Sequence, residues 1–275
     1  MKGKKSNIVI YILLVILAVI FLAPIFIILF NSFKGKLYIS DAPFKLPTAE
    51  TFVGMQNYID GLSKTGFLSA FGWSIFITFF STIVIVLFTS MTGWYITRAK
   101  NKVSTVLYFI FVFSMIVPFQ MVMFTMSKVA NMLSLDNPIG LIVLYLGFGA
   151  GLSIFMFSGF VKSIPIDIEE AALIDGCNPI KTFFLIVLPL LKPICITVAI
   201  LNVMWIWNDY LLPSLVLKSD YKTIPMAVQY LRGGYGAIDM GAMMAALVLA
   251  IIPIIVFYLL SQKYIIEGVA AGAVK

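Results

Sequence analysis

Acidic side chains are concentrated in one stretch of this sequence, where their types and spacing could support chemistry. Residues 170–189 spell EAALIDGCNPIKTFFLIVLP, and further acids come just before them. The carboxylates of this stretch belong to Asp167, Glu169, Glu170 and Asp175. Carboxylates can pair with arginines of a partner, or they can serve catalysis when a second reacting group stands nearby.

The rest of the sequence argues against catalysis on this chain. It contains no histidine, no phosphate-binding loop of the form GxxxxGK[ST] and no nucleophile paired with a base. Cys177 and Cys195 are far apart in sequence with no histidine to join them, so neither a zinc site nor a disulfide framework is supported. We therefore expect no catalytic residue, no metal site and no bound cofactor.

A second group of polar and aromatic side chains lies near the end of a long apolar run. Its members are Trp205, Trp207, Asn208, Asp209 and Tyr210. Aromatic faces together with amide and carboxylate groups can hold a sugar, which makes Trp205, Asn208, Asp209 and Tyr210 candidates for a substrate path. The alternative is that the aromatics anchor a helix at the lipid headgroups while Asn208 and Asp209 serve helix packing. The sequence leaves both interpretations open.

The elements that must position these groups are membrane helices. Of the 275 residues, 61% are hydrophobic and 11% are charged, against roughly 25% charged in a soluble domain. A bilayer core needs about 20 apolar residues per helix. We predict an all-α polytopic membrane protein with six transmembrane helices and one domain over residues 1–275. The predicted spans are 8–30, 70–97, 103–127, 138–160, 190–213 and 241–262.

The lysines and arginines predict the orientation of these spans. With six spans the termini share a side, and 11 basic residues fall on that side against 8 on the other. The short clusters at 2–5 and 98–102 lie against span ends, where charge counts most. We expect both termini in the cytoplasm and an uncleaved first span. The net charge of +7 thus reports topology, and no nucleic acid is expected as a partner.

Residues 161–189 form the longest segment on the predicted cytoplasmic side. Asp167 is predicted to cap a helix over 168–175, with Glu170 in capping-box position and Gly176 as its stop. Asn178 and Pro179 are predicted to begin a second, largely apolar helix over 181–188. The segment could be an amphipathic connection or a docking surface for a cytoplasmic protein.

The first of these helices has two kinds of surface. Ile168, Ala171, Ala172 and Asp175 share a face at spacings of three and four, and the alanines allow close approach by another body. Glu169 and Glu170 are expected to project from the sides, available to arginines of a partner. The basic cluster at 98–102 is interpreted as a topology anchor, with an ATPase contact as the alternative.

The same segment carries a longer pattern, E-A-A, three residues, G, nine residues, I, one residue, L-P. It passes through Glu170, Ala171, Ala172, Gly176, Ile186, Leu188 and Pro189. This pattern resembles the EAA signature of the membrane subunits of binding-protein-dependent ABC importers. The resemblance implies a cytoplasmic coupling helix between spans four and five, which docks on an ATPase subunit. The implied contact residues are Glu169, Glu170, Ala171, Ala172, Asp175 and Gly176.

Three further stretches resemble the carbohydrate branch of that family. They are WNDYLLP at 207–213, FVGMQNY at 52–58 and the tail YIIEGVAAGAVK at 264–275. The resemblance implies import of a carbohydrate, an oligosaccharide by class, across a bacterial cytoplasmic membrane. It also implies a second permease subunit, two cytoplasmic ATPase subunits that hold ATP and magnesium, and an extracellular solute-binding protein. Cys177 departs from the family, which usually has a small residue such as alanine there.

Two rival classes make different predictions about partners. The first is a self-contained channel or secondary transporter, and the second is a membrane scaffold with an incidental acidic loop. Ion-coupled transporters keep ionisable groups at membrane depth, whereas the candidate here is Asp209 near a span end. Secondary transport is therefore disfavoured, and purification with a second permease and ATPases would separate the classes.

Overall fold

Helices form nearly all of the regular structure in the computed structural model, which describes residues 2–231 and 239–273. The α-helices in chain order are α1 Lys2–Asn31, α2 Lys36–Asp41, α3 Gln56–Thr65, α4 Phe67–Arg98, α5 Lys102–Ser114, α6 Phe119–Met132, α7 Pro138–Val161, α8 Ile166–Ile174, α9 Pro179–Thr182, α10 Leu188–Leu190, α11 Lys192–Asn208, α12 Leu211–Val216, α13 Ile224–Tyr230 and α14 Met240–Ala273. A π-helical turn, Phe183–Val187, joins α9 to α10. No named strand occurs in these residues, so the all-α prediction is confirmed.

Long apolar helices confirm a polytopic membrane protein. In the described part of the chain, four are long and apolar enough to cross a bilayer: Ile10–Asn31, Phe67–Arg98, Pro138–Val161 and Met240–Tyr264. Two further pairs meet the same test together but are bent, α5 with α6 by 105° and the Pro179–Leu190 rod with α11 by 77°. The count reaches the predicted six if each bent pair is one span.

The bends fall where proline limits the helix. Pro118 is the N-cap of α6, and a proline disfavours helical geometry in the residue before it. Pro193 lies in the first turn of α11, where its missing N–H leaves no bond unmade. The predicted spans 103–127 and 190–213 therefore each contain a break. By contrast, Pro24 and Pro253 lie inside continuous helices.

The chain divides into two compact units by its internal contacts, a division that the sequence did not indicate. Residues 1–70 and 227–255 form the first unit. In it, Asn57 on α3 donates to the carbonyls of Ser32 and Lys34, each at 2.8 Å. A Cβ at Gly241 would clash with the Oδ1 atom of Asn57, so glycine permits α14 to approach α3.

Residues 71–226 and 256–275 form the second unit, which contains the acidic segment. Phe157 and Val161 of α7 are fully buried against Phe183 and Val187 of the π-helical turn. On α4, a Cβ at Gly93 would lie 2.7 Å from the Cβ of Phe157, so glycine lets α4 and α7 pack closely. The segment from α8 to α10 thus packs, through Phe183 and Val187, on a closely packed pair of helices.

Candidate functional site

The acidic segment forms a short helix with defined ends. The helix α8 begins at Ile166 because Pro165 stops any helix that runs in from α7. The predicted Asp167 cap is wrong, since Pro165 is the N-cap and no side chain bonds there; Asp167 instead lies in the first turn, where the helix dipole favours an anion. Gly176 has a φ of +81°, which confirms the predicted left-handed stop.

Glu169 is buried and bound within its own chain. Its Oε1 atom accepts from Nε and Nη2 of Arg98 at 2.9 and 2.8 Å, and its Oε2 atom accepts from the indole Nε1 of Trp94 at 2.8 Å. The Arg98 Nη2 atom also donates to the carbonyl of Ile164 at 2.9 Å. The side chains of Arg98 and Glu169 are only 19% and 8% exposed. Two charge-assisted hydrogen bonds from Arg98 thus converge on one carboxylate oxygen, and the Trp94 indole bonds to the other.

The Arg98–Glu169 pair corrects the expectation that Glu169 is available to a partner. Glu169 joins α8 to the last residue of α4 instead, and a cation at that end is favoured by the helix dipole. Arg98 therefore does more than anchor the topology. The sequence signal for the pair was a carboxylate and an arginine at the ends of different elements, but their contact depends on how α4 and α8 pack.

The other predicted contact residues divide by exposure. Ala172 is buried at 3% exposure, whereas Glu170, Ala171, Asp175 and Gly176 are exposed. Two apolar side chains that the sequence did not single out join this surface: Ile174 is 87% exposed and Leu173 is 54% exposed. The exposed side of α8 is therefore both acidic and apolar. A cavity of about 280 Å³ lies beside it, lined in part by Trp94, Glu170, Leu173 and Pro179.

The chain after Gly176 forms a helical segment whose Phe183 and Val187 side chains are buried in the core of the second unit. The Asn178 Oδ1 atom accepts from the backbone N–H of Lys181 at 2.8 Å, which confirms the predicted cap, and Pro179 begins α9. The helical rod from Pro179 to Leu190 starts earlier than predicted and is π-helical in its middle. Phe183 packs on Trp94 with ring centroids 5.5 Å apart. Trp94 thus contacts both Glu169 and the segment that follows α8.

The structure brings the second group of predicted residues to the end of α11. Asp209 ends this helix and accepts from the backbone N–H of Leu211 at 2.9 Å, which fixes the start of α12. Its Oδ2 atom accepts from the hydroxyl of Tyr145 at 3.0 Å. Asn208 donates to the carbonyl of Met204 at 2.7 Å, four residues earlier in the same helix. Asp209 therefore links the start of α12 to Tyr145 of α7, and its place in a substrate path stays a prediction.

Trp205 and Tyr210 are each 40% exposed, and Trp205 lies edge-on to Tyr145 at a centroid distance of 5.4 Å. Trp205 also lines a cavity of about 270 Å³ between α7 and α11, together with Met115, Phe148, Gly149, Leu152 and Asn202. Asn202 is a buried polar residue inside the apolar helix α11. Its place beside an aromatic face follows from the crossing of α7 and α11.

The side chains of α8 and of the end of α11 can bind a partner or stabilise the fold. In the described residues, no three His, Cys, Asp or Glu side chains are grouped so that they could hold a metal ion. Cys177 and Cys195 are both free thiols. The fold defines a class of protein, a multi-pass α-helical membrane protein, and comparisons with known proteins specify its family.

The chain belongs to the family described as "Binding-protein-dependent transport system inner membrane component", whose model matches residues 85–270. It is 39% identical over 262 residues, 95% of this chain and 94% of the relative, to the "Probable starch degradation products transport system permease protein AmyC" of Thermoanaerobacterium thermosulfurigenes. It is 35% identical over 270 residues, 96% of each chain, to the "Multiple sugar-binding transport system permease protein MsmG" of Streptococcus mutans.

A third relative and a solved structure agree with this family. The chain is 31% identical over 276 residues, 98% of each chain, to the "Melibiose/raffinose/stachyose import permease protein MelC" of Bacillus subtilis. The structure of a bacterial ABC transporter involved in the import of the acidic polysaccharide alginate matches with a TM-score of 0.79 and 25% identity. The match covers 96% of this chain and 98% of that one. The chain is thus a sugar ABC permease and not an enzyme.

Proposed function

We propose that this chain is one permease subunit of an ATP-driven, binding-protein-dependent importer of a carbohydrate, with an oligosaccharide as the class of substrate. The names of two relatives support this class, since they refer to starch degradation products and to melibiose, raffinose and stachyose. The chain would form half of the translocation path. A second permease subunit would form the other half.

The observation that carries the proposal is the two-sided character of α8. One side is held to α4 by the Arg98–Glu169 pair and includes the buried Ala172, while the other side exposes Glu170, Asp175 and Ile174. A short helix is marginal in water, so packing must hold it. Because α8 is held to a long span, a force on its exposed side would move α4 as well. This is what a coupling helix requires.

We infer that the exposed side docks on an ATPase subunit. Glu170, Ala171, Asp175 and Gly176 would form the contact, and Glu170 and Asp175 would receive arginines or lysines of the partner. Glu169 and Ala172 are buried and would not touch the partner; they would be positioning residues that hold α8 against the rest of the second unit. Of the six residues that the resemblance implies as contacts, the four exposed ones would touch the ATPase and the two buried ones would not.

The remaining partners follow from this design. An ABC permease works in general with a partner permease, an ATPase and a solute-binding protein. Here we propose two cytoplasmic ATPase subunits, which would bind ATP and magnesium, and an extracellular solute-binding protein that delivers the sugar. This chain would bind no cofactor. Membrane lipid would surround the exposed apolar side chains of its spans.

The proposed location is a bacterial cytoplasmic membrane, with both termini and α8 on the cytoplasmic side. The distribution of lysine and arginine supports this orientation. Trp205, Asn208 and Tyr210 would border the sugar path at the opposite end of α11 from Lys192. Asp209 would hold the turn between α11 and α12 in place for them.

Two changes on the exposed side of α8 test the docking assignment. Glu170→Lys reverses a charge, and Gly176→Val forces a branched residue into the left-handed region that disfavours it. We expect each to lower both ATPase co-purification and uptake of a labelled oligosaccharide, by about tenfold for the charge reversal. Glu50→Lys, at an exposed acid in the loop between α2 and α3, is the matched control. Unchanged assembly and uptake in both variants would contradict the docking assignment.

A further inference from the structure

The turn between α4 and α5 has an unusual local structure. Lys100 adopts a φ of +35°, a left-handed value that side chains other than glycine seldom take. The Asn101 Oδ1 atom then accepts from the N–H of Ser104 at 2.8 Å and caps α5. The positive end of the α5 dipole therefore points into the corner formed by the ends of α4, α5 and α7.

A cavity of about 270 Å³ lies in this corner and is lined by cations and hydroxyl groups. Its lining includes Lys100, Lys162, Thr97, Ser104, Thr105 and Tyr108. Lys162, which follows the last residue of α7, places its ammonium group 6.0 Å from the ring centre of Tyr108. Among the described residues that line the cavity there is no carboxylate, so its charge is positive.

Ser104 adds an observation that is independent of the helix end. The residue is only 2% exposed, and its Oγ atom has no hydrogen-bond partner within the protein. A buried hydroxyl without a partner is unfavourable, and buried polar groups in proteins are nearly always bonded. A ligand oxygen in this cavity would supply the missing partner. Two lysines, a helix N-terminus and such a hydroxyl together match the chemistry of a phosphate group.

The surroundings of the cavity favour a phosphate that belongs to a lipid. The corner is formed by the ends of membrane helices, since α4 ends at Arg98 and α7 at Val161. An apolar stripe leads from the cavity along α5: Phe109, which lines the cavity, is 63% exposed, and Phe113 one turn further is 65% exposed. Acyl chains could lie along this stripe, whereas a soluble phosphate would make no use of it.

We propose that Lys100, Ser104, Thr105, Tyr108 and Lys162, which we name the corner site, bind the phosphate of an anionic phospholipid. The site would hold one lipid at the end of α4. Thr97, which lines the cavity, and Arg98 both lie in the last turn of α4. The bound lipid would therefore stabilise the turn that carries the Arg98–Glu169 pair. The proposal goes beyond the docking of α8 and does not depend on it.

Lipid binding to the full chain tests the corner site. The chain is purified in a neutral detergent, and native mass spectrometry then measures retention of phosphatidylglycerol against phosphatidylcholine. Inorganic phosphate and glycerol phosphate are added as soluble competitors. The variants are Lys100→Gln with Lys162→Gln, and separately Ser104→Ala. The matched control, Lys192→Gln with Lys263→Gln, removes the same charge from exposed lysines elsewhere in the second unit.

We expect the unchanged chain to retain phosphatidylglycerol in preference to phosphatidylcholine. The paired change at Lys100 and Lys162 should weaken that retention by roughly tenfold. Ser104→Ala should weaken it by about threefold without any change of charge. The control pair should change it by less than about twofold.

Three results would overturn the proposal. If the corner-site lysine pair and the control lysine pair lose phosphatidylglycerol retention equally, the lipid is attracted by the net charge of the chain and no specific site exists. Displacement of the lipid by equal concentrations of inorganic phosphate would assign the cavity to a soluble anion. Equal retention of the two lipids by the unchanged chain would also refute it, and this comparison needs no variant to fold.

Discussion

Glu169 and Glu170 are neighbours of identical chemistry, yet the structure gives them opposite surroundings. One residue along a helix turns the side chain by about 100°, so two adjacent side chains can enter different surroundings. Glu169 is bonded to Arg98 and Trp94, whereas Glu170 is exposed. The first therefore stabilises α8, and the second is available for a partner.

Glutamine substitutions separate the two roles. Glu169→Gln leaves Arg98 partly buried without its counter-charge, and we expect it to lower the free energy of unfolding by about 2–3 kcal/mol. Glu170→Gln removes an exposed charge, so the expected change is within about 0.5 kcal/mol. Thermal unfolding in detergent measures both.

Uptake and ATPase co-purification complete this comparison. Glu170→Gln should impair co-purification although the fold is intact, whereas Glu169→Gln should impair it only as far as the fold is weakened. Equal stability of the two variants would contradict the structural role assigned to the Arg98–Glu169 pair.

At the scale of elements, contacts between distant parts of the chain fix the helices. In the first unit, Lys64 on α3 bonds to Asp60 at 2.9 Å and to Asp239, just before α14, at 2.6 Å. The hydrogen bond from Lys64 lowers the pKa of Asp60, and the bond to Asp239 raises the pKa of Lys64. These groups lie outside the membrane spans and are partly exposed.

The signs of these shifts predict a pH window for stability. The lowered pKa of Asp60 contributes stability above its usual value of 3.8, which is lost as the pH falls through the lower native pKa. The raised pKa of Lys64 contributes stability below its usual value of 10.5, which is lost as the pH rises through the higher native pKa. The network should be intact between these limits.

Lys64→Met should therefore lower stability by about 0.5–1 kcal/mol at neutral pH, because exposed ion pairs contribute little. The difference in melting temperature between the unchanged chain and the variant should disappear in strong acid and in strong base. Lys45→Met, at an exposed lysine of the same unit, is the control. A constant difference across the whole pH range would refute the ionic origin.

Close packing of α4 on α7 gives a second prediction for elements. Gly93→Ala would bring a Cβ to 2.7 Å from that of Phe157, so we expect a loss of about 1–3 kcal/mol from overpacking. Gly72→Ala on the same helix meets nothing within 4 Å and should gain about 0.5–1 kcal/mol, because alanine is the better helix former. Equal effects on the melting temperature would argue against close packing at Gly93.

At the scale of the whole molecule, orientation in the membrane decides which partner can reach α8. The proposed topology places Cys177 on the cytoplasmic side and the loop between α2 and α3 outside. In a Cys195→Ser background, a maleimide that cannot cross membranes should label Cys177 only from the cytoplasmic side. Ala49→Cys, with Cys177→Ser, should be labelled only from outside. The reverse pattern would invert the topology and exclude the proposed ATPase contact.

The sequence by itself determined the all-α membrane fold and the position at which the acidic helix stops, whereas its start at Pro165 differs from the predicted Asp167 cap. Long apolar runs require backbone bonds within each segment, so they define helices before any packing is known. Gly176 and the Asn178–Pro179 pair act locally, and both positions were predicted correctly. The EAA pattern is also contiguous, which explains why the family was recognisable from the sequence.

Only the tertiary structure decided which side chains of that helix are free. The bond from Arg98 to Glu169 joins residues 71 positions apart, and the bond from Tyr145 to Asp209 joins residues 64 apart. No local spacing encodes such pairs, since they depend on where α4, α7, α8 and α11 meet. Burial of Glu169 and exposure of Glu170 thus follow from packing, although the two residues are identical in the sequence.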